Sequence, residues 1–118
     1  MRICFDLDNT IFSTEGMDYE NSQPIPRMVE LVNLLYDAGH EITILTARGS
    51  GRGIDFSEVT EKQLQSAGVK HHFLLFKKPP FDVTIDDRAV RFCGQANEDI
   101  IREIEDITEK TCFDTDKD

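Results

Sequence analysis

The sequence has few of the features that mark secreted or membrane proteins. Its 118 residues include no tryptophan and only three cysteines. No apolar run approaches the roughly 20 residues that a membrane-spanning helix needs. Three cysteines, an odd number spaced far apart, do not form a disulfide framework. The chain opens on a strand-like segment instead of a signal-peptide pattern. We therefore expect a cytoplasmic protein that makes no membrane contact.

Basic residues are also scarce. The chain has 13 Lys and Arg against 23 Asp and Glu, which gives a net charge of −10. From Asn97 onward, nine acidic and three basic residues concentrate much of that charge. A surface that binds nucleic acid broadly is basic, so this balance argues against one. The acidic C-terminal segment is typical of a solvated helix face.

Short apolar runs alternate with amphipathic segments along the chain. The runs over 2–7, 42–46, 72–76 and 81–85 predict strands. Helices are predicted from Pro26 to a glycine cap at Gly39, over 55–67 with a capping box at its start, and over 96–109. This alternation implies an α/β fold with a central parallel sheet covered on both faces. We expect one Rossmann-like, three-layer domain over residues 1–118.

Polar residues follow each predicted strand, and ligands bind at the carboxyl ends of parallel strands. The residues at these ends are Asp6 and Asp8, then Thr46, then Lys77 and Lys78, then Asp86 and Asp87. Clustered carboxylates repel each other unless a cation lies among them. Ligand sets made only of oxygen, with no histidine nearby, favour a hard cation such as magnesium. The sequence therefore predicts a magnesium site at this rim. Cys4, in the first apolar run, is predicted to fill the core.

In order and spacing, these residues resemble the motifs of the haloacid dehalogenase superfamily of phosphatases, over nearly the whole chain. Those motifs are Asp-x-Asp-x-Thr after a strand, a Thr or Ser ending a strand, a Lys, and an acidic pair after a strand. Here they match Asp6, Asp8 and Thr10, then Thr46, then Lys77 or Lys78, then Asp86 and Asp87. The resemblance implies a hydrolase that cleaves phosphoric monoesters.

The resemblance also implies a role for each residue. Asp6 attacks phosphorus and forms an aspartyl-phosphate. Asp8 protonates the leaving oxygen and later deprotonates water, which favours phosphate chemistry over dehalogenation. Thr46 donates a hydrogen bond to a phosphoryl oxygen. Lys78, which precedes a proline, is preferred over Lys77 as the residue that neutralises charge on the nucleophile and phosphate.

Magnesium is implied to bind Asp6, the main-chain carbonyl of Asp8 and Asp87, with Asp86 in support. Two arginines in the loop after the second strand, Arg48 and Arg52, are candidate substrate contacts. Large relatives insert a cap domain, whereas residues 11–25 allow only a short flap here. A capless site is open to water and larger substrates, and a neighbouring subunit of a homo-oligomer could close it.

Within the superfamily, the chain most resembles the small capsule-biosynthesis phosphatases of bacteria. The shared segments are 5–11, 22–26, 46–49, 78–79 and 85–91. The likeness implies a sugar phosphate or another small phosphorylated precursor of surface polysaccharide as substrate. The 48–52 loop and segment 85–88 also resemble the 3′-phosphatase domain of polynucleotide kinases. A non-catalytic binding module and phosphotransfer to an acceptor other than water stay open as alternatives.

Overall fold

The computed structural model describes residues 1–50 and 53–113. By their internal contacts they fall into two units, Met1–Phe81 and Asp82–Asp118, the second described up to residue 113. The strands are β1 (Arg2–Asp6), β2 (Phe12–Ser13), β3 (Gln23–Pro24), β4 (Glu41–Leu45) and β5 (Phe73–Leu75). The helices are α1 (Pro26–Asp37), α2 (Ser57–Ala67) and α3 (Asn97–Thr108), and a 3-10 turn covers Tyr19–Asn21.

A parallel sheet with the strand order β1-β4-β5 forms the centre of the first unit. Asp6 pairs with Leu45, and Leu45 pairs with Leu75, so the three strands end at the same level. The residues that follow them therefore meet at one edge of the sheet. The α/β class with a central parallel sheet is confirmed, while the single domain over 1–118 and the absence of a cap stay predictions.

One face of this sheet carries the core of the first unit. Phe5 and Ile44 are paired in register and buried on that face. The apolar stripe of α1 is also buried, through Met28, Leu31, Val32 and Leu35. Burying each such side chain contributes about 1.5–3 kcal/mol. Cys4 belongs to the opposite face, because side chains alternate along a strand, and it is exposed. Its predicted place in the core is therefore wrong.

The helix ends agree with the sequence except at the start of α2. Helix α1 has Pro26 in its first turn, and Gly39 follows its end with a φ of 98°. Helix α2 was expected to begin with a capping box at Asp55, and this is wrong. It begins at Ser57, and the Asp55 carboxylate accepts a hydrogen bond from the Ser57 backbone N–H at 2.9 Å, forming a turn before the helix.

Residues 11–25 form a small flap. Its strands β2 and β3 pair antiparallel, with Phe12 opposite Pro24 and Ser13 opposite Gln23. The Ile25 backbone N–H donates to the Ile11 carbonyl at 2.8 Å, which ties the end of the flap to its beginning. The flap thus returns the chain to the start of α1.

The fourth strand predicted over residues 81–85 is absent. Residues 81–85 are all described, and none has strand structure. Ile85 is 96% exposed, although its run reads as apolar and β-branched. Only five residues separate the end of β5 at Leu75 from Phe81, whereas a parallel crossover needs a dozen or more. Helix α3 is confirmed, with Ile100 and Ile104 buried. Across the described residues, no helix is both long and apolar enough to span a bilayer.

Candidate functional site

Asp6 and Lys78 form an ion pair at the edge of the sheet. Asp6 is the last residue of β1, and Lys78 follows β5. The Lys78 ammonium nitrogen Nζ lies 3.1 Å from Asp6 Oδ1, and both side chains are partly exposed. The Lys78 carbonyl accepts a hydrogen bond from Ser50 Oγ at 2.9 Å. The lysine segment is therefore anchored beside the end of β1, as a charge-neutralising role requires, whereas Lys77 is exposed.

Asp8, two residues further on, has a different partner. Arg48 holds its carboxylate by two nitrogens, Nη2 to Oδ1 at 2.7 Å and Nε to Oδ2 at 3.1 Å. The Arg48 side chain is 0% exposed. The remaining N–H groups of its guanidinium donate to Thr60 Oγ1, Gln63 Oε1 and Ser22 Oγ at 3.0, 2.7 and 3.1 Å. This buried charge is thus paired and fully hydrogen-bonded, the condition under which burial is tolerated.

Two hydroxyl groups of the flap complete the surroundings of Asp8. Thr14 Oγ1 donates to Asp8 Oδ1 at 2.6 Å. Thr14 Oγ1 also lies 2.7 Å from Ser22 Oγ. A hydroxyl has one hydrogen, and Thr14 gives its own to the carboxylate, so Ser22 donates to Thr14. Asn9, with a φ of 62°, turns the chain between β1 and β2, and its side-chain oxygen accepts the Thr14 backbone N–H at 3.1 Å.

Thr46 lies directly after β4, as predicted. Its Oγ1 accepts a hydrogen bond from the Arg48 backbone N–H at 3.1 Å, which orients the hydroxyl hydrogen away from that contact. The residue is 1% exposed. Donation from Thr46 to a phosphoryl oxygen stays a prediction.

Three further residues were predicted to take part in the site: Asp86, Asp87 and Arg52. Asp86 and Asp87 are exposed in the second unit, and Asp86 Oδ1 accepts the Arg88 backbone N–H at 2.8 Å. Arg52 lies outside the described residues. Over residues 1–50 and 53–113, no group of three or more His, Cys, Asp or Glu is arranged to hold a metal. The magnesium ligands therefore stay predictions.

Cys4 is exposed on the face of β1 opposite Phe5, and the pKa of its thiol is raised. Partial desolvation raises the pKa of its thiol above the ordinary 9.0, and nearby Lys78 lowers the pKa by a smaller amount. The thiol is consequently protonated at neutral pH, and the reactive species of cysteine is the thiolate.

The partners of Arg48 were missed by the sequence reading. One signal was present: Thr60 and Leu64 are four residues apart on α2, and both are fully buried. A polar residue on the apolar stripe of a helix indicates a buried hydrogen bond. The flap hydroxyls carry no such periodic signal, because the strands of the flap are two residues long.

A groove of about 280 Å³ lies between the flap and α2. Ser22 and Gln63 line it, and both also bond to Arg48. Lys62 and Glu20 add one charge of each sign. The groove therefore adjoins the polar network around Asp8 and could receive a polar group of a bound molecule.

The chain matches no protein-family model and no curated protein. Among solved structures, it is similar to a crystal structure of a target protein from Vibrio cholerae. The TM-score is 0.72 with 29% identity, over 92% of this chain and 98% of that one. It is also similar to a chain in a structure of the Pnkp1/Rnl/Hen1 complex. That TM-score is 0.53 with 22% identity, over 73% of this chain and 30% of the other. The second likeness shows a shared fold alone.

Proposed function

We propose that the protein is a phosphatase of the haloacid dehalogenase type, which cleaves phosphoric monoesters through an aspartyl-phosphate on Asp6. The observation that carries this proposal is the contact between Lys78 Nζ and Asp6 Oδ1 at 3.1 Å. A nucleophilic carboxylate must meet a negatively charged phosphoryl group, and a fixed cation beside it reduces their repulsion. The strand-end motif that places Asp8 two residues later supplies the second group that the reaction needs.

The proposed reaction has two steps. A carboxylate oxygen of Asp6 forms a bond to phosphorus while the bond from phosphorus to the leaving oxygen breaks, and Asp8 gives that oxygen a proton. Asp8 then takes a proton from water as the water oxygen attacks phosphorus. The bond between phosphorus and Asp6 breaks, which releases phosphate and restores the free carboxylate. Lys78 stays beside Asp6 throughout.

Magnesium is the proposed cofactor, and the chemistry of the donors fits it. The carboxylate of Asp8 is held by Arg48 and Thr14, so the main-chain carbonyl of this residue is the group proposed to bind the cation. The Asp6 side chain is 42% exposed and can take a cation that keeps several of its waters. Asp87 and Asp86 are the further proposed ligands. When bound, the ion would neutralise charge on the transferred phosphoryl group.

The proposal is tested by replacing Asp6 with asparagine. We expect Asp6→Asn to abolish turnover of 4-nitrophenyl phosphate, because the amide cannot form the covalent intermediate. Phosphate release is measured with magnesium and after chelation, and chelation should stop the wild-type reaction until magnesium is restored. Mass spectrometry of acid-quenched wild type should show one added phosphoryl group.

Asp37→Asn is the matched control, since Asp37 also pairs with a lysine, at an exposed position. It should retain wild-type turnover. Full activity of Asp6→Asn in a folded protein would disprove the nucleophile assignment, and turnover without any divalent metal would disprove the cofactor.

The proposed substrate class is a small phosphorylated metabolite, in particular a sugar phosphate used for surface polysaccharide. A polynucleotide 3′-phosphate is the second candidate, and the shared fold with a chain of the Pnkp1/Rnl/Hen1 complex is compatible with it. A phosphate-release screen over sugar phosphates, nucleotides and 3′-phosphorylated oligonucleotides separates the two. Release from the oligonucleotides alone would replace the first candidate by the second.

A further inference from the structure

We propose that Arg48 is a positioning residue that fixes the Asp8 carboxylate by its Oδ1 atom and leaves Oδ2 to carry the transferred proton. The inference rests on the proposed phosphatase function. It assigns Arg48 a different task from the substrate contact that the sequence predicted.

The first support is that Arg48 has no donor left for a substrate. Its guanidinium has five N–H groups. Besides Asp8, they engage Thr60, Gln63 and Ser22, on α2 and the flap. The side chain is 0% exposed, and its guanidinium carbon lies 4.9 Å from the centre of the Tyr19 ring. Because the planar guanidinium of Arg48 is held by several partners, it is preorganised and can orient the side chain of Asp8.

The second support is the unequal use of the two Asp8 oxygens. Oδ1 accepts from Arg48 Nη2 at 2.7 Å, from Thr14 Oγ1 at 2.6 Å and from Arg48 Nε at 3.3 Å. Oδ2 accepts from Arg48 Nε at 3.1 Å. A general acid needs one oxygen that carries a proton and faces the leaving group. Nε has a single hydrogen that both oxygens share, so Oδ1 has two donors of its own and Oδ2 has none. Oδ2 is therefore the oxygen with capacity for that proton.

The third support is that the hydrogen bonds around Oδ1 form a closed ring in which both arms begin at Arg48 Nη2 and end at Oδ1. Arg48 Nη2 donates to Ser22 Oγ, Ser22 donates to Thr14, and Thr14 donates to Asp8 Oδ1. Arg48 Nη2 also donates to the same oxygen and closes the ring. Every hydroxyl hydrogen is committed, so a rotation of the Asp8 carboxylate would break several bonds together.

The test compares Arg48→Lys with wild type on an alkyl phosphate and on 4-nitrophenyl phosphate. A lysine keeps the charge but lacks the fork, so it cannot hold Oδ1 and the other three partners. We expect kcat on the alkyl phosphate to fall about 10- to 100-fold, because misplaced catalytic groups lose about that much. KM should stay within about twofold, since a positioning residue does not contribute to uniform substrate binding.

Rapid kinetics add a readout that a merely structural role would not move. The 4-nitrophenolate leaving group needs little protonation, so Arg48→Lys should still form the phosphoenzyme and then hydrolyse it slowly. A burst of nitrophenolate near one per enzyme, followed by slow turnover, is the expected signature, and Asp8→Asn should share it. Arg102→Lys, the same change at an exposed arginine of α3, should match wild type.

Thr14→Val provides a second test in case Arg48→Lys does not fold. It removes only the hydroxyl from Oδ1, and we expect the same burst pattern with a smaller fall in kcat. The inference is overturned if Arg48→Lys raises KM at least tenfold with kcat unchanged, or if Thr14→Val equals wild type while Asp8→Asn is impaired. If wild type turns over no phosphate ester, the phosphatase proposal and this inference fail together. If wild type is active and Arg48→Lys raises KM with kcat unchanged, this inference fails but the phosphatase proposal does not.

Discussion

Gly49 lies in the loop after β4, and an alanine there tests how firmly this loop is held. Gly49 has a φ of 82°, which side chains rarely adopt. A Cβ atom at this position would lie well inside van der Waals contact with the Ile54 carbonyl oxygen. Because that oxygen belongs to the backbone, the overlap can be relieved only if the loop itself moves.

Gly53 in the same loop provides a matched control. Its φ is 68°, and a Cβ there meets nothing within 4 Å. Each alanine substitution lowers the stability of the protein by about 1–2 kcal/mol, because a residue with a Cβ atom disfavours the left-handed backbone conformation. Each substitution also raises the stability by about 0.4–1 kcal/mol, because alanine reduces the conformational entropy of the unfolded chain. Those contributions nearly cancel in the comparison, and the overlap adds about 1–3 kcal/mol at Gly49 alone.

The measurement is urea unfolding followed by far-ultraviolet circular dichroism, since the chain has no tryptophan for fluorescence. With a denaturant slope of about 1–3 kcal/mol per molar, the midpoint of Gly49→Ala should lie roughly 1 M below that of Gly53→Ala. Ser50 bonds to the Lys78 carbonyl, so under the proposed function the shifted loop should also lower turnover of 4-nitrophenyl phosphate. Equal midpoints for the two variants would refute the reasoning.

Two further predictions concern stability. Leu35→Ala should lower the unfolding free energy by about 2–5 kcal/mol in urea titrations, because the side chain is fully buried and its loss leaves a cavity; a change below that of an exposed Leu34→Ala would contradict the packing described. Asp55→Ala tests the turn before α2. Hydrogen bonds from Ser57 lower the pKa of Asp55 below 3.8. The contribution of the Asp55 carboxylate to folding stability is therefore present above pH 3.8 and is lost as the pH falls through the lowered pKa. The difference in urea midpoint between wild type and Asp55→Ala should therefore shrink below pH 3.8. A difference that does not change with pH would contradict a role for the ionised carboxylate.

Local signals predicted the part of the fold that depends on short-range chemistry. Helix α1 follows from Pro26 in its first turn and Gly39 after its end, since each residue adopts the required backbone angles without strain. The ends of β1 and β4 follow from apolar runs that stop at Asp6 and Thr46. Parallel pairing then brings those ends to one edge, so their proximity is a consequence of topology.

The failures arise where composition and connectivity disagree. The run from Phe81 to Ile85 has the composition of a strand, but the chain before it is too short to return parallel to β5. Composition alone cannot detect that limit. Asp55 has the residue type of a helix cap, yet its carboxylate bonds two residues ahead and the helix begins later. Such a local bond competes with capping at the same backbone group.

The two aspartates at the end of β1, Asp6 and Asp8, show why a motif does not specify a site. Asp6 and Asp8 are both acids at one strand end, yet Asp6 is partly exposed beside a lysine while Asp8 lies in a ring of committed donors. The difference comes from the flap, which follows the motif directly and supplies Ser22, and from α2, which is distant in sequence and supplies Thr60. An exposed carboxylate can approach an incoming phosphorus atom, whereas a carboxylate held by one oxygen can pass a proton from the other without turning. The proposed division of roles between nucleophile and acid thus rests on what surrounds each carboxylate.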